Sequence, residues 1–331
     1  MPLLRLTFAL ALTVINVLIV APVRAQIPPN QIRSLAWSPD GTHLAVGTIH
    51  EAVLYDRENL NTPITLHETI LDVGGISAIG WQLGGTGIAL ARYDGIISLW
   101  DIPTQTRLLV LRGAVGAVNG AAWGGANRVA TIGDDWRMRL YDALTGNLLA
   151  DNFKHQARGL GAFWQPGGDR ILTIAADNRA LLWNGATGEG YTNPQTNIAR
   201  VYAGAWQTDG ERYITGSADG IVRTYQANGA PEGSLRKHTR RILAVGFKDG
   251  EAISMDESGL VVVWDGREAE FDLTIALPDG DLPRLAAIRP DGDEIAVVGA
   301  ANVVYRYALP GGEPLTPLTP LTPLLVPPTA P

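Results

Sequence analysis

Two columns of aromatic residues run in phase along the chain and constrain its fold more tightly than any other feature. The first holds Trp37, Trp81, Trp123, Trp164, Trp206 and Phe247, with Ile288 in its last position, at steps of 41 to 44 residues. The second holds Tyr55, Trp100, Tyr141, Trp183, Tyr225, Trp264 and Tyr307. Eight of the nine tryptophans stand in these two columns, and only Trp136 falls outside. The stretch from Ile76 to Asp101 displays the unit that repeats. Ile76 to Trp81 alternates large and small residues, Leu83 to Gly87 is a glycine-rich turn, and Ile88 to Arg92 is a second strand. Asp94-Gly95 then marks a hairpin, because Asp tolerates positive φ and Gly has no Cβ to clash there. Ile96 to Trp100 is the third strand. A period near 42 residues suits a four-stranded unit.

Such a sheet cannot bury both of its faces alone, whereas units stacked in a ring cover one another. The residue before the first column is small almost throughout: Ala36, Gly80, Ala122, Ala205, Gly246 and Ala287, with Phe163 the exception. Crowded innermost strands require small side chains there. The expectation is an all-β fold: one seven-bladed β-propeller of four-stranded antiparallel blades over residues 31–318, with no helix after Ala25. Blade one covers Gln31 to Glu68, with the turn SPDG at Ser38 to Gly41. Blade two covers Thr69 to Arg112, and blade three Gly113 to Phe153, with Asp134-Asp135 at its hairpin. Blade four runs from Lys154 to Pro194 with Asp177-Asn178, and blade five from Gln195 to Leu235 with Asp219-Gly220. Blade six, Arg236 to Ala276, carries Ser258-Gly259, and blade seven begins near Leu277 and includes the turn RPDG. The usual first strand of a blade-closing addition is missing upstream, since Pro28-Pro29 interrupts it. Pro314 to Leu318 is therefore expected as the outer edge of blade seven, where proline is tolerated.

Met1 to Ala25 reads as an export leader: Arg5 precedes the apolar run Leu6 to Val20, and Val23-Arg24-Ala25 offers a small-residue cleavage site. An uncleaved anchor is the other reading, and contact with a membrane follows only from that one. The chain has no cysteine, which excludes disulfides, thiolate catalysis and cysteine-held metals and suits an oxidising compartment. The expected location is therefore extracellular, periplasmic or cell-surface. Residues 319–331 continue a Pro/Thr/Leu-rich low-complexity tail, a surface-lying segment or a tether. The net charge of −7 argues against general nucleic-acid binding.

Taken together, the succession of His, aromatic, SPDG-like turn, Asp-Gly hairpin and Trp-Asp resembles the WD-repeat β-propellers of the bacterial exported type. The Trp-Asp pairs are Trp100-Asp101 and Trp264-Asp265, with Tyr55-Asp56 and Tyr141-Asp142 as variants. The resemblance implies a bracing network of loop His, hairpin Asp and Trp. It maps as complete only in blade four, on His155, Asp177 and Trp183; in blade six His238 and Trp264 are present but Ser258 stands where the Asp should be. The resemblance also implies a rigid platform for protein partners, although a fold by itself licenses no function.

No catalytic constellation is visible. The histidines (His43, His50, His67, His155, His238) lack ligand spacing, and the acidic pairs fall in turns without calcium-loop order. No metal and no cofactor is expected. One cluster is more specific. Six residues before the first column, blades four, five and six carry Arg158, Arg200 and Arg241, with Lys154, Lys237 and Arg240 close by in the sequence. Adjacent blades would set the three arginines side by side in a basic arc on an acidic protein, either simply solvated or binding an acidic peptide or other anion. The reading is a non-catalytic platform for a protein or acidic-ligand partner. The alternative is a propeller enzyme of the lactonase or quinone-dependent dehydrogenase kind, with its site at the channel mouth. The inner-strand positions Arg33, Ser77, Asn119, Leu160, Tyr202, Leu243 and Arg284 include no carboxylate, which favours binding over catalysis.

Overall fold

A computed structural model describes residues 31–67, 75–191, 195–196, 199–266, 268–309 and 311–318. The leader, the sequence around Pro28-Pro29 and the tail after Leu318 lie outside the described residues. The fold consists of seven four-stranded antiparallel sheets, each ordered as its strands follow in the chain. Besides strands, the described residues contain only two short 3-10 turns, Gly125–Asn127 and Pro278–Gly280.

Blade two shows how the sequence builds a sheet. Its inner strand Ile76–Trp81 alternates buried and half-buried residues, and its second strand Gly87–Arg92 is buried throughout. The second strand is apolar on both faces because neighbouring blades cover both. The outer strand Thr106–Leu111 is exposed over its first half, Thr106 to Leu108, and only Leu111 is buried. Each core cluster accordingly spans two blades. Ala130, Ile132, Met138 and Leu140 of blade three pack with Trp164, Ile171, Leu181 and Trp183 of blade four.

The small residues of the inner strands have a direct cause. A Cβ at Gly80 would lie 2.6 Å from the carbonyl oxygen of Ala121 in the next blade, so a side chain there would force the two inner strands apart. Three of the five first-column indoles, those of Trp37, Trp81 and Trp206, tie neighbouring inner strands laterally, whereas Trp164 Nε1 donates to Gly168 of its own blade. Trp81 Nε1 donates to the Ala36 carbonyl at 3.1 Å, and Trp206 Nε1 to the Phe163 carbonyl at 3.1 Å. Both bonds reach back to the residue preceding the first-column position of the previous blade.

Ring closure uses the same device. Trp37 Nε1 of blade one donates to the Ala287 carbonyl of blade seven at 3.2 Å. Asn302 Oδ1 accepts from the Ile32 N–H at 2.7 Å, and Arg284 donates to the Ile32 carbonyl at 2.9 Å. Buried Glu294 takes Arg306 from its own blade and Arg57 from blade one. Pro314–Leu318 pairs with Val304–Ala308 as the fourth strand of blade seven, in the register Val304 with Leu318 and Tyr307 with Pro314. Two boundaries differ from the sequence reading, the smaller at Arg236, which ends the fourth strand of blade five by pairing with Ile221 rather than opening blade six. Gln195–Thr196 completes blade four by pairing with Arg179 and Ala180, so blade five starts after it.

Candidate functional site

In five blades the residue six places before the first column ends in the same hydrogen bond. The carbonyls of Gly75, Ala117, Arg158, Arg200 and Arg241 accept the N–H of Tyr93, Asp134, Ala176, Ala218 and Glu257, at 2.8 to 3.3 Å. These bonds join the start of each inner strand to the hairpin between the second and third strands. They therefore place Arg158, Arg200 and Arg241 at one rim of the channel, at the end away from the first-column aromatics. Two residues further on, the inner strands of blades two to six shift register at Ser77, Asn119, Leu160, Tyr202 and Leu243. Such bulges re-aim side chains at the margins of sheets. The channel holds a cavity of about 420 Å³ that reaches from the first-column collar to Tyr202 and Leu243.

Arg158 and Arg200 are exposed and line one open cleft of about 500 Å³ with Asp134 and Trp136. Arg241 lies with its guanidinium 4.9 Å from the centre of the Tyr202 ring. Burial acts to raise the Tyr202 phenol, but hydrogen bonds from Arg200 and Arg241, and their charges, outweigh it and hold the group below its ordinary value. The three arginines thus share one rim, with Tyr202 joining two of them. Arg158 and Arg200 have no ion pair among the described residues.

The arc differs from the sequence expectation in three respects. Arg241 is paired with Glu257 at 3.2 Å, because the Glu257 N–H is bonded to the Arg241 carbonyl and brings its carboxylate alongside. The flanking lysines do not extend the arc: Lys237 pairs with Asp272 at 3.2 Å, and Lys154 Nζ donates to the Gly190 carbonyl at 2.7 Å. The rim also holds two cations, Arg33 and Arg284, that the sequence reading placed on the inner strands but did not count in the arc. Arg33 stacks on Tyr93 at 5.8 Å, and burial together with the charge of Arg33 lowers the Arg284 guanidinium. Both stand in the same register as Tyr202, four residues before the first column, which was the available signal. One carboxylate reaches the mouth after all: Asp134 accepts from Asn119 Nδ2 at 2.8 Å.

The bracing network is present in blade four. His155 Nδ1 meets Asp177 Oδ2 at 2.9 Å and His155 Nε2 meets Thr173 Oγ1 at 2.8 Å, while Trp183 Nε1 donates to the same Thr173 oxygen at 2.7 Å. Blade six has it as well, which corrects the expectation that it is complete only once. His238 bridges Asp256 at 3.0 Å and Ser254 at 2.7 Å, and Trp264 Nε1 donates to Ser254 at 2.9 Å. The carboxylate simply comes from the end of the second strand, two residues before Ser258, whose hydroxyl it accepts in turn. Burial raises Asp177 and Asp256, yet their hydrogen bonds, first those with the two histidines, hold both below the ordinary value of 3.8. Blades three and five lack the histidine and hold their hairpin aspartates with arginines of the third strand, Arg139 on Asp135 at 2.7 Å and Arg223 on Asp219 at 2.9 Å. Among the described residues no three His, Asp or Glu side chains group as a metal site.

Comparisons with known proteins agree with this architecture. The family model described as "WD domain, G-beta repeat" matches residues 24–50. A chain of the "Crystal Structure of Mitotic Checkpoint Complex" superposes with a TM-score of 0.73 at 16% identity, over 92% of this chain and 99% of that one. The computationally designed Ika8 protein superposes with a TM-score of 0.66 at 20% identity, over 88% and 87%. At these identities the two structures show a shared fold. The WD-repeat match takes in the first two strands of blade one, Ser34–Trp37 and His43–Gly47, and the ring of seven four-stranded antiparallel blades is the arrangement of a seven-bladed β-propeller.

Proposed function

We propose that this protein is a non-catalytic binding platform that works outside the cytoplasm and holds an acidic segment of a protein partner at the channel mouth through Arg158 and Arg200, with Arg241 beside them already paired with Glu257. The observation that carries the reading is the cleft shared by Arg158 and Arg200, two exposed guanidinium groups without a carboxylate partner among the described residues. On a chain of net charge −7 they form a local positive field, which steers an anionic partner to this side of the ring. Arginine adds a planar fork of donors that matches carboxylates. Export is supported by the leader-like Met1 to Ala25 and the absence of cysteine.

A fluorescein-labelled glutamate-rich peptide titrated onto the purified protein tests the binding reading. Affinity is expected to fall as salt rises, because exposed charges are screened within roughly 8 Å at physiological ionic strength. The Arg158→Ala/Arg200→Ala variant is expected to lose binding without a change in melting temperature. Unchanged affinity in that variant overturns the proposal. Export has its own check in the intact mass of the protein recovered from its native source: a chain starting at Gln26 supports the cleaved leader, and one retaining the leader supports an anchor.

A further inference from the structure

Trp136 stands apart in both sequence and backbone. It is the tryptophan outside the aromatic columns, and it occupies the hairpin of blade three with φ of 67°. Other blades fill the same hairpin position with residues suited to the left-handed region. Gly95, Gly220 and Gly259 have φ of 84°, 73° and 90°, and Asn178 and Asn302 have φ of 66° and 62°. A bulky aromatic in that region is an outlier, and such residues persist where the surroundings hold them and a function uses them. Burial does not account for Trp136, because the side chain is 40% exposed. It stacks on Phe153, itself 56% exposed, at 5.9 Å and 22°, and Arg137 covers Phe153 at 5.7 Å. The indole also forms a wall of the cleft that holds Arg158 and Arg200. An exposed aromatic surface therefore adjoins two arginines that have no ion pair among the described residues.

We propose that Trp136 is the apolar contact of this rim, taking a Leu or Phe side chain from an extended partner segment whose neighbouring carboxylates reach Arg158 and Arg200. The inference deepens the platform reading and rests on it. Charge complementarity fixes the occupant: the cleft sets two guanidinium groups against one carboxylate, Asp134, which is already engaged by Asn119, and places them beside an indole, so it suits a segment that joins an apolar residue to acidic ones. The strained hairpin is what lifts the indole to the rim; a glycine there, as in blades two, five and six, would present nothing.

Two labelled octapeptides test this on the full protein. One carries a single phenylalanine followed by four glutamates, and the other has serine in place of the phenylalanine. Wild type is expected to prefer the phenylalanine peptide by roughly tenfold, the scale of one good aromatic contact. Trp136→Gly is expected to erase that preference, to leave the serine peptide's affinity unaltered, and to melt at or above the wild-type temperature, because glycine relieves the backbone. A preference that survives in Trp136→Gly overturns the inference. So does a lowered melting temperature in that variant, which would make Trp136 a structural residue. If wild type binds both peptides equally, this inference fails while the acidic platform stands. If it binds neither, both readings fail.

Discussion

Blades three and four are neighbours with the same strands and the same hairpin, yet they use that hairpin differently. In blade four Asp177 turns inward under buried His155, the histidine reaches Thr173, and Asn178 accommodates the left-handed backbone. In blade three no histidine is available. Asp135 is held by buried Arg139 and accepts the Val115 N–H at 2.9 Å, and the next residue is an outward-facing tryptophan. Six of the ten exposed large apolar side chains among the described residues belong to blade three: Val115, Trp136, Leu144, Leu148, Leu149 and Phe153. One blade braces itself, and the other presents a surface. A repeat architecture permits this division because the shared scaffold is secured by the aromatic columns and leaves the hairpins free to differ.

The comparison breaks first at Trp183. Its side chain is fully buried between blades three and four, so Trp183→Ala is expected to destabilise the protein by about 3 to 5 kcal/mol through the cavity it leaves. Urea unfolding measures this, and a cost below about 1 kcal/mol would mean that the column does not hold the blades together.

The bracing networks come next. His155→Ala and His238→Ala are each expected to cost about 1 to 3 kcal/mol, since each strands a carboxylate and a hydroxyl oriented by the ring. Similar costs in blades four and six would show that Asp256 fully replaces a hairpin aspartate. Melting temperatures equal to wild type would remove the network from the account of stability.

Acid sharpens the same contrast on a smaller scale. Asp177 and Asp256 have folded values below their unfolded ones. The unfolded chain therefore takes up these protons first as pH falls. Their contribution is fully present above the ordinary carboxylate value of 3.8 and is lost as pH drops through the lower folded values. The urea midpoint should fall between pH 6 and pH 3, and the Asp177→Asn/Asp256→Asn variant should start lower and lose less over that interval. An identical loss in wild type and variant would assign the acid sensitivity to other groups.

The smallest expected effect on stability is at the rim. Arg158→Ala/Arg200→Ala removes two exposed side chains without ion pairs among the described residues, and its unfolding free energy should stay within about 0.5 kcal/mol of wild type. A larger loss would show that these arginines support the ring, and would weaken their assignment to a partner.

Much of the scaffold was legible in the sequence because close packing imposes it at a fixed period. Trp81 and Trp206 repeat because each indole reaches the preceding blade, and Gly80 is small because the Ala121 carbonyl leaves no room. The site was only partly legible. Register placed Arg158, Arg200 and Arg241 on one rim, but the pairing of Arg241 with Glu257 depends on how its own hairpin folds back. Asp256 escaped because a carboxylate two residues earlier reaches the same histidine from the end of a strand. Thr173 and Ser254 escaped for a simpler reason: a lone hydroxyl in a buried strand looks like any other small residue until its neighbours are known. Trp136 was visible as an outlier in sequence, while its positive φ was not.

The seam between blades seven and one has a consequence for assembly. Pro314–Leu318 pairs within its own blade, so among the described residues no sheet borrows a strand from the opposite end of the chain. A chain emerging from its N-terminal side can finish blade one as soon as Ile64–His67 is available, and each later blade in turn. Until the last blade arrives, the growing arc carries one bare flank, where Leu44, Val46 and Val53 await Ala296, Val298 and Val304. That flank persists longest of all apolar surfaces during synthesis. The stretch most in need of protection from aggregation is therefore the flank of the earliest blade that faces blade seven, made first and covered last.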